Sequence, residues 1–514
     1  MKTLKSYVVG AWRAGSGAGT ALENPATEAP IAVLGTEGLD FAAVLEHARA
    51  RGGPALRALG FRRRGELLKA LAGALHKHRD ELLDLSIENG GNTRSDAKFD
   101  VDGATGTLAA YAELGKGLDE RGFLPDGEGV QLGRTARFWG QHVLVPRSGA
   151  AVHINAFNFP AWNMAEKMAC ALLAGVPVIE KPGTPSALLA WRMAEIIVAS
   201  GVLPEGAFQL LCGSAGDLLQ HMGPQDVLAF TGSSTTGAAL KGHARLVGCN
   251  AHVNLEADSL NPALLAPDVE GDAPAFDLFV ANVALDMTQK AGQKCTAVRR
   301  IAVPEDRVGE VVDALKGALA RIKVGDPSLA DVRMGPLASR AQLADVRAGI
   351  ARLAAEAEVV LGGPAPLFER GYFVAPTLLV ARPGARAVHE HEVFGPVATV
   401  VPYSGEPEDA IALANQGGGG LVASVYSNDA AWAERVVLGI APWHGRVWIG
   451  GDRVAEQALP PGMVLPLSVH GGPGRAGGGE ELGGLRGLAP YLQRTALQGF
   501  QGFLAGAFGA PGAG

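Results

Sequence analysis

Cysteine is scarce: four residues in a chain of 514, at Cys170, Cys212, Cys249 and Cys295. Thiols so few and so dispersed make neither a disulfide framework nor a zinc site, and they suit a reducing compartment. Charge is also low, 19% of residues against 47% hydrophobic, which excludes a disordered chain. Positive charge has no excess, with 45 Lys plus Arg against 52 Asp plus Glu and a net charge of −7. That balance argues against nucleic acid or an anionic membrane as partner. The one basic run, Arg62-Arg63-Arg64, opens a solvated helix face, because Leu67, Leu68, Leu71 and Leu75 follow at helical spacing. Met1 to Arg13 lacks the apolar stretch and cleavage site of a signal peptide. The longest apolar run, Met168 to Ile179, contains Gly175 and Pro177 and is too short to span a bilayer. The Gly/Ser turn within 230–237 is neither a P-loop nor a GxGxxG fingerprint. The expectation is a soluble, cytoplasmic protein without a metal site.

What the chain does have is length enough for two or three domains and a regular rhythm. Residues 1–50 read as a strand-rich entry ending in a helix near Phe41–Arg51, and a long helical region follows from Arg62 to about Lys116. Three short strands are expected at 130–132, 136–139 and 142–145. From 149 to 257 strands and helices alternate, and the alternation resumes after Cys295. This predicts an α/β protein with two parallel-sheet domains plus a β-hairpin that is a candidate interface element. The expected division is 1–127 with 148–257, and 258–469. Residues 128–147 and 470–514 are expected to form the oligomerisation element and C-terminal segment, with the tail from Gly502 frayed.

The segment Gln289-Lys290-Ala291-Gly292-Gln293-Lys294-Cys295-Thr296 presents a cysteine on a Gly-containing loop. A reactive thiolate needs cations and access, and Lys290, Lys294, Arg299 and Arg300 are the cations nearby in sequence. An ordinary loop cysteine beside solvated charges would look the same. Other candidates sit where parallel sheets bind ligands, past the carboxyl ends of strands. Asn158, in Asn155-Ala156-Phe157-Asn158-Phe159-Pro160, is a turn former or an oxyanion donor. Lys181, in Glu180-Lys181-Pro182-Gly183-Thr184, is a surface cation or a ribose or phosphate ligand. Ser233 opens a strand–turn–helix segment that reads as a plain N-cap or a phosphate site. Glu256 is a solvated loop carboxylate or, if buried, a base with a raised pKa. Glu392 and Phe394 lie beside the Gly395-Pro396 turn.

In combination these segments resemble the NAD(P)-dependent aldehyde dehydrogenase superfamily over nearly the whole chain. The ordered motifs are Asn158-Phe159-Pro160, Lys181-Pro182, Phe230-Thr231-Gly232-Ser233, Leu255-Glu256, Gly292-Gln293-Lys294-Cys295 and Glu392-Val393-Phe394-Gly395-Pro396-Val397. The resemblance implies Cys295 as nucleophile, Glu256 as general base, Asn158 as oxyanion donor and Lys167 behind Glu256. It implies a Rossmann-like cofactor-binding domain at 1–127 with 148–257 and a catalytic domain at 258–469, with Phe157, Lys181, Gly183, Thr184, Gly213, Ser233, Glu392 and Phe394 around the cofactor, and a homodimer or larger homo-oligomer. Thr184 stands where many NAD-preferring members carry a carboxylate, so NADP is the expected cofactor, with NAD possible. Segments 256–262, 292–300 and 470–487 resemble a narrower group that oxidises CoA-linked semialdehydes in aromatic catabolism. A small-molecule CoA-linked aldehyde is therefore the expected substrate. In the bifunctional members of that group a hydratase domain follows, and none is expected here. Broad-specificity, CoA-acylating and catalytically silent relatives share the fold; the acylating ones usually lack the base glutamate.

Overall fold

In a computed structural model, residues 1–509 are described. The first seven-stranded sheet runs in the order His252–Glu256, Val227–Thr231, Ala151–Ile154, Val178–Lys181, Phe208–Leu210, Ser6–Val8, Ala11–Arg13. The first five strands are parallel, and the two N-terminal strands are added antiparallel at the Phe208–Leu210 side. The helix Pro160–Ala174 is buried at every position and packs on this sheet through its Ala, Met, Leu and Cys residues, with Asn163, Glu166 and Lys167 together on one face.

The second seven-stranded sheet runs Ala357–Leu361, Thr377–Ala381, Val397–Tyr403, Val298–Pro304, Asn261–Leu265, Gly420–Tyr426, His444–Gly450, parallel except for the first pair. Its central strands read as continuous apolar runs because helices cover both faces. The two parallel-containing sheets agree with the α/β architecture expected from the alternation.

Local details differ from the pattern reading. The expected long helix is three, Phe61–His76, Arg79–Gly90 and Arg94–Lys116. Gly91 ends the second in a left-handed conformation, and the Thr93 side chain caps the third by accepting from Asp96 N. Two of the three expected short strands are one, Phe138–Pro146, because nothing interrupts its nine-residue antiparallel register with Leu492–Phe500. The tail from Gly502 is not frayed as far as Gly509: Gln501–Phe508 is helical and Arg121 Nη1 donates to Gly509 O at 2.8 Å. Residues 510–514 lie outside the described part. Among the described residues no helix is long and apolar enough to cross a membrane.

Candidate active site

Cys295 follows the helix Pro274–Thr288 and one tight turn, Gln289–Gly292. Lys290, Ala291 and Gly292 all take positive φ, at 54°, 53° and 68°. For residues bearing a Cβ this conformation costs about 1–2 kcal/mol each, so the surroundings must impose it. They do. A Cβ on Gly292 would strike the Gly395 carbonyl, which presses the turn against the 392–396 loop. Arg299 ties the two together, Nη1 donating to Gly395 O at 2.8 Å and Nη2 to Gly292 O at 2.9 Å. Asn261 Nδ2 then donates to Cys295 O at 2.8 Å and Ala297 O at 2.9 Å. Among the described residues the Cys295 N–H donates to no protein acceptor, leaving it available to an oxyanion.

The cations near Cys295 in sequence do not serve it. Lys294 Nζ donates to Asp286 Oδ1 at 2.7 Å, and Lys290 Nζ lies 4.5 Å from the centre of the Phe159 ring, with Asp96 and Asp100 as its opposite charges. Arg300 donates to the carbonyls of Leu260, Leu413 and Ala414. All four cations are buried, Arg299 included. A buried charge must be paired or hydrogen-bonded, and here that need turns the side chains into the protein and away from the thiol. None of the four donates a hydrogen bond to Cys295 Sγ, and of them Arg299 is the one whose charge interacts with it.

Glu256 and His470 face the thiol instead. Glu256 ends the strand His252–Glu256 and is buried, and its Oε2 lies 3.2 Å from His470 Nε2. The same nitrogen is 3.8 Å from Cys295 Sγ, and the three groups' ligand atoms lie within 4.8 Å of one another. Burial by itself would raise the Glu256 pKa, but the His470 charge and hydrogen bond, with Lys167 behind, outweigh it and hold the carboxylate well below its usual range. The raised pKa expected for a buried Glu256 is thus reversed in sign. Burial opposes the charged imidazole, yet Glu256 lifts the His470 pKa above its ordinary value. Burial and the Glu256 charge push the Cys295 thiol pKa up.

A two-stranded antiparallel ribbon, Val469–Gly471 with Glu480–Leu482, brings His470 here. Gly479 N donates to Leu255 O at 2.9 Å, and a Cβ on Gly479 would come within 2.5 Å of Leu255 N, so only glycine lets the ribbon lie on the Glu256 strand. The ribbon also supplies Glu481. Lys167 Nζ donates to Glu481 Oε2 at 3.2 Å and to Glu166 Oε1 at 3.3 Å, all three buried on one side of Glu256. Burial pushes the Glu481 carboxyl up to about 8, against the Lys167 charge. Pattern reading missed His470, Glu481 and Glu166. The unusual glycine density of 470–487 marked the segment but not its histidine.

Three of the residues expected around a dinucleotide line two cavities, Glu392 in one and Thr184 with Gly213 in the other. One, of about 660 Å³, is lined by Ser234, Thr235, Asp258, Glu392 and Arg475 among others. The other, of about 410 Å³, includes Thr36, Glu37, Thr184, Gly213 and Ser214. Lys181 is largely buried and its Nζ meets only Pro182 O, at 3.2 Å. Burial lowers its pKa, and no carboxylate offsets this. Gly183 admits the Phe157 backbone, whose nitrogen would be 2.6 Å from a Cβ there. Phe157 and Phe394 meet edge to face at 5.9 Å. Glu392 Oε1 accepts no hydrogen bond, and burial raises its carboxyl to about 7 against the Arg299 charge. Ser233 caps its own helix by accepting from Thr236 N, and Ser234 N donates to Asp258 Oδ1 at 2.8 Å. Asn158 is buried and its Oδ1 has no partner. An unpaired cation, and a buried carboxylate whose Oε1 faces only Arg299 Nε at 3.5 Å, fit a nucleotide's phosphate and ribose hydroxyls.

A groove of about 420 Å³ includes Arg446, Trp448, Leu459, Met463 and Leu465 in its lining. Thr296 Oγ1 donates to Gly462 O at 2.9 Å and Arg446 Nη2 to Pro461 O at 2.9 Å, which fasten the groove to the nucleophile loop. Cys170 and Cys212 are buried in the core, as expected for cysteines without a catalytic part.

A strand-end carboxylate, a cysteine on a constrained loop and a two-sheet cleft describe an enzyme class, and the chain belongs to the aldehyde dehydrogenase family, whose sequence model matches residues 12–495. It is an NAD(P)-dependent aldehyde dehydrogenase. The chain is 48% identical over 479 residues, 91% of itself and 93% of the relative, to 3,4-dehydroadipyl-CoA semialdehyde dehydrogenase of Aromatoleum evansii. Among solved structures it resembles lactaldehyde dehydrogenase from Escherichia coli, with a TM-score of 0.85 at 27% identity, covering 96% of this chain and 99% of that one. It also resembles betaine aldehyde dehydrogenase from Staphylococcus aureus in complex with NAD+, with a TM-score of 0.83 at 25% identity, covering 96% and 95%.

Proposed function

We propose that this enzyme oxidises a CoA-linked semialdehyde to the carboxylate, with 3,4-dehydroadipyl-CoA semialdehyde or a similar intermediate of aromatic catabolism as substrate. The observation that carries the chemistry is the meeting of the half-buried Cys295 with the buried Glu256, both held by backbone-tied elements. The Cys295 thiolate attacks the aldehyde carbon to form a thiohemiacetal. Asn158 and the Cys295 N–H stabilise the oxyanion. A bound nicotinamide would supply the hydride acceptor, and Cys295 would keep the acyl group as a thioester. Glu256 takes a proton from water, which hydrolyses the thioester. Phe157, Lys181, Gly183, Thr184, Gly213, Ser233, Glu392 and Phe394 hold the cofactor. The unpaired Lys181 ammonium beside Thr184 favours NADP, because it can pair with the 2′-phosphate that Thr184 does not repel.

The identity to the Aromatoleum evansii relative supports the CoA-linked substrate, and so does the apolar groove with its single guanidinium beside the nucleophile loop. The outward strand Leu492–Phe500, with Phe500 and Phe503 more than half exposed, supports a homodimer. A panel of free and CoA-linked semialdehydes, assayed with both nucleotides, tests the reading. The CoA-linked substrates should have the higher kcat/KM. Cys295→Ala should fold, bind nucleotide and turn over nothing; free aldehydes preferred, or turnover by Cys295→Ala, would overturn it.

A further inference from the structure

A thiol with a carboxylate for a neighbour is hard to ionise. Burial and the Glu256 charge both act against the Cys295 thiolate, and Lys290, Lys294, Arg299 and Arg300 are all committed elsewhere. A nucleophile so placed needs a cation that can reach its sulfur. His470 Nε2, 3.8 Å from Sγ and 3.2 Å from Glu256 Oε2, is the group in that position. We propose that His470 is a catalytic residue: its protonated imidazole is the counter-ion of the Cys295 thiolate once the thiol proton has moved to Glu256.

The step balances. The Sγ–H bond breaks, its electron pair stays on sulfur, and the proton bonds to a Glu256 carboxylate oxygen. The imidazolium keeps its proton throughout, and the net charge of the three groups is unchanged. Glu256 enters as the imidazolium's partner and becomes neutral as the thiolate takes over that role. It then gives up the proton before it acts on water. One cation thus serves in turn the nucleophile and the base, which is why both face the same ring nitrogen.

His470 is buried, and the charged groups around it come from every packed element. Glu256 lies on the neighbouring strand, Glu166 and Lys167 on the helix Pro160–Ala174, Arg446 on the strand His444–Gly450, and Glu481 on its own ribbon. Arg446 and Arg299 are the other cations in the field of Cys295, and they donate to backbone carbonyls rather than to sulfur. Glu256 and Glu166 raise the His470 pKa against burial and the Arg446 charge, which favours the charged imidazole.

The inference rests on Cys295 as the nucleophile, and the test separates the two. The rate of Cys295 alkylation by iodoacetamide is measured against pH in the full enzyme, in His470→Phe and in His470→Asn, together with the burst of reduced nucleotide. Because thiolate is the alkylated form, loss of the cation should move the profile to higher pH. Both variants should react at least about tenfold more slowly at neutral pH, a shift of about one pKa unit, and their bursts should slow in parallel. Nucleotide binding by fluorescence should be unchanged, which shows that the fold persists. Asn keeps a hydrogen bond to Glu256 without charge, so a His470→Asn profile superimposed on the parent's would overturn the proposal and leave His470 a structural support. Turnover by Cys295→Ala would instead remove the nucleophile assignment itself.

Discussion

His470 and Glu481 stand directly opposite each other in the antiparallel ribbon Val469–Gly471 with Glu480–Leu482. Through them one small ribbon reaches Glu256 by two routes, His470 directly at 3.2 Å and Glu481 by way of Lys167. The carboxylate therefore sits between an imidazole and an ammonium, and its protonation follows both.

Replacing Glu256 with Gln should separate the two halves of the reaction. Acylation and hydride transfer precede the step that needs the base, so stopped-flow absorbance should show a burst of reduced nucleotide followed by a stall, with steady-state turnover down by about 10²–10⁴-fold. Because the proposed route also sends the thiol proton to Glu256, the burst should be slower than in the parent while keeping its amplitude. A variant with parental steady-state turnover would take Glu256 out of the mechanism.

Cofactor preference should turn on Lys181 and Thr184. Thr184→Glu places a carboxylate against a 2′-phosphate and should shift the kcat/KM ratio toward NAD by about tenfold or more, equivalent to ~1.4 kcal/mol. Lys181→Met should weaken NADP by about 1.5–3 kcal/mol, the worth of a charged hydrogen bond, and NAD by less. Glu37, which lines the same cavity, opposes a phosphate from the rim, so Glu37→Gln should move the ratio the other way. An unchanged ratio in all three would mean that another segment discriminates.

The nucleotide's KM should depend on pH through Glu392. Burial holds its carboxyl at about 7, so below that pH it gains a proton and ceases to be a charged acceptor for ribose hydroxyls. KM should therefore rise as pH falls through about 7. Glu392→Gln should have a higher KM that no longer varies over this range, and initial-rate titrations of nucleotide at several pH values measure both.

Association should run through the sheet of Phe138–Pro146 and Leu492–Phe500. Phe138 and Phe500 are cross-strand partners there, 46% and 61% exposed, and Phe503 is 63% exposed. Sedimentation at micromolar concentration should give at least a dimer. Phe500→Asp combined with Phe503→Asp should dissociate it, since each buried Phe contributes about 1.5–3 kcal/mol. A parent that sediments as a monomer would rule out this interface.

The amino-acid sequence by itself determined the two α/β units, the strand ends after which Asn158 and Lys181 come, and the loop that carries Cys295. Those features are local: alternating apolar runs, glycines at turns, and a cysteine flanked by polar residues. Only the tertiary structure decided which charges act on that cysteine. Lys294 and Arg299, near it in the chain, are drawn into carboxylate and carbonyl partners because a buried cation must be satisfied. His470, far along the chain, arrives because Gly479 lets its ribbon lie against Leu255, a close backbone approach that no side-chain pattern encodes. The sign of the Glu256 shift was out of reach for the same reason: burial raises a carboxyl pKa and a nearby cation lowers it, and which prevails depends on a distance of 3.2 Å set by folding.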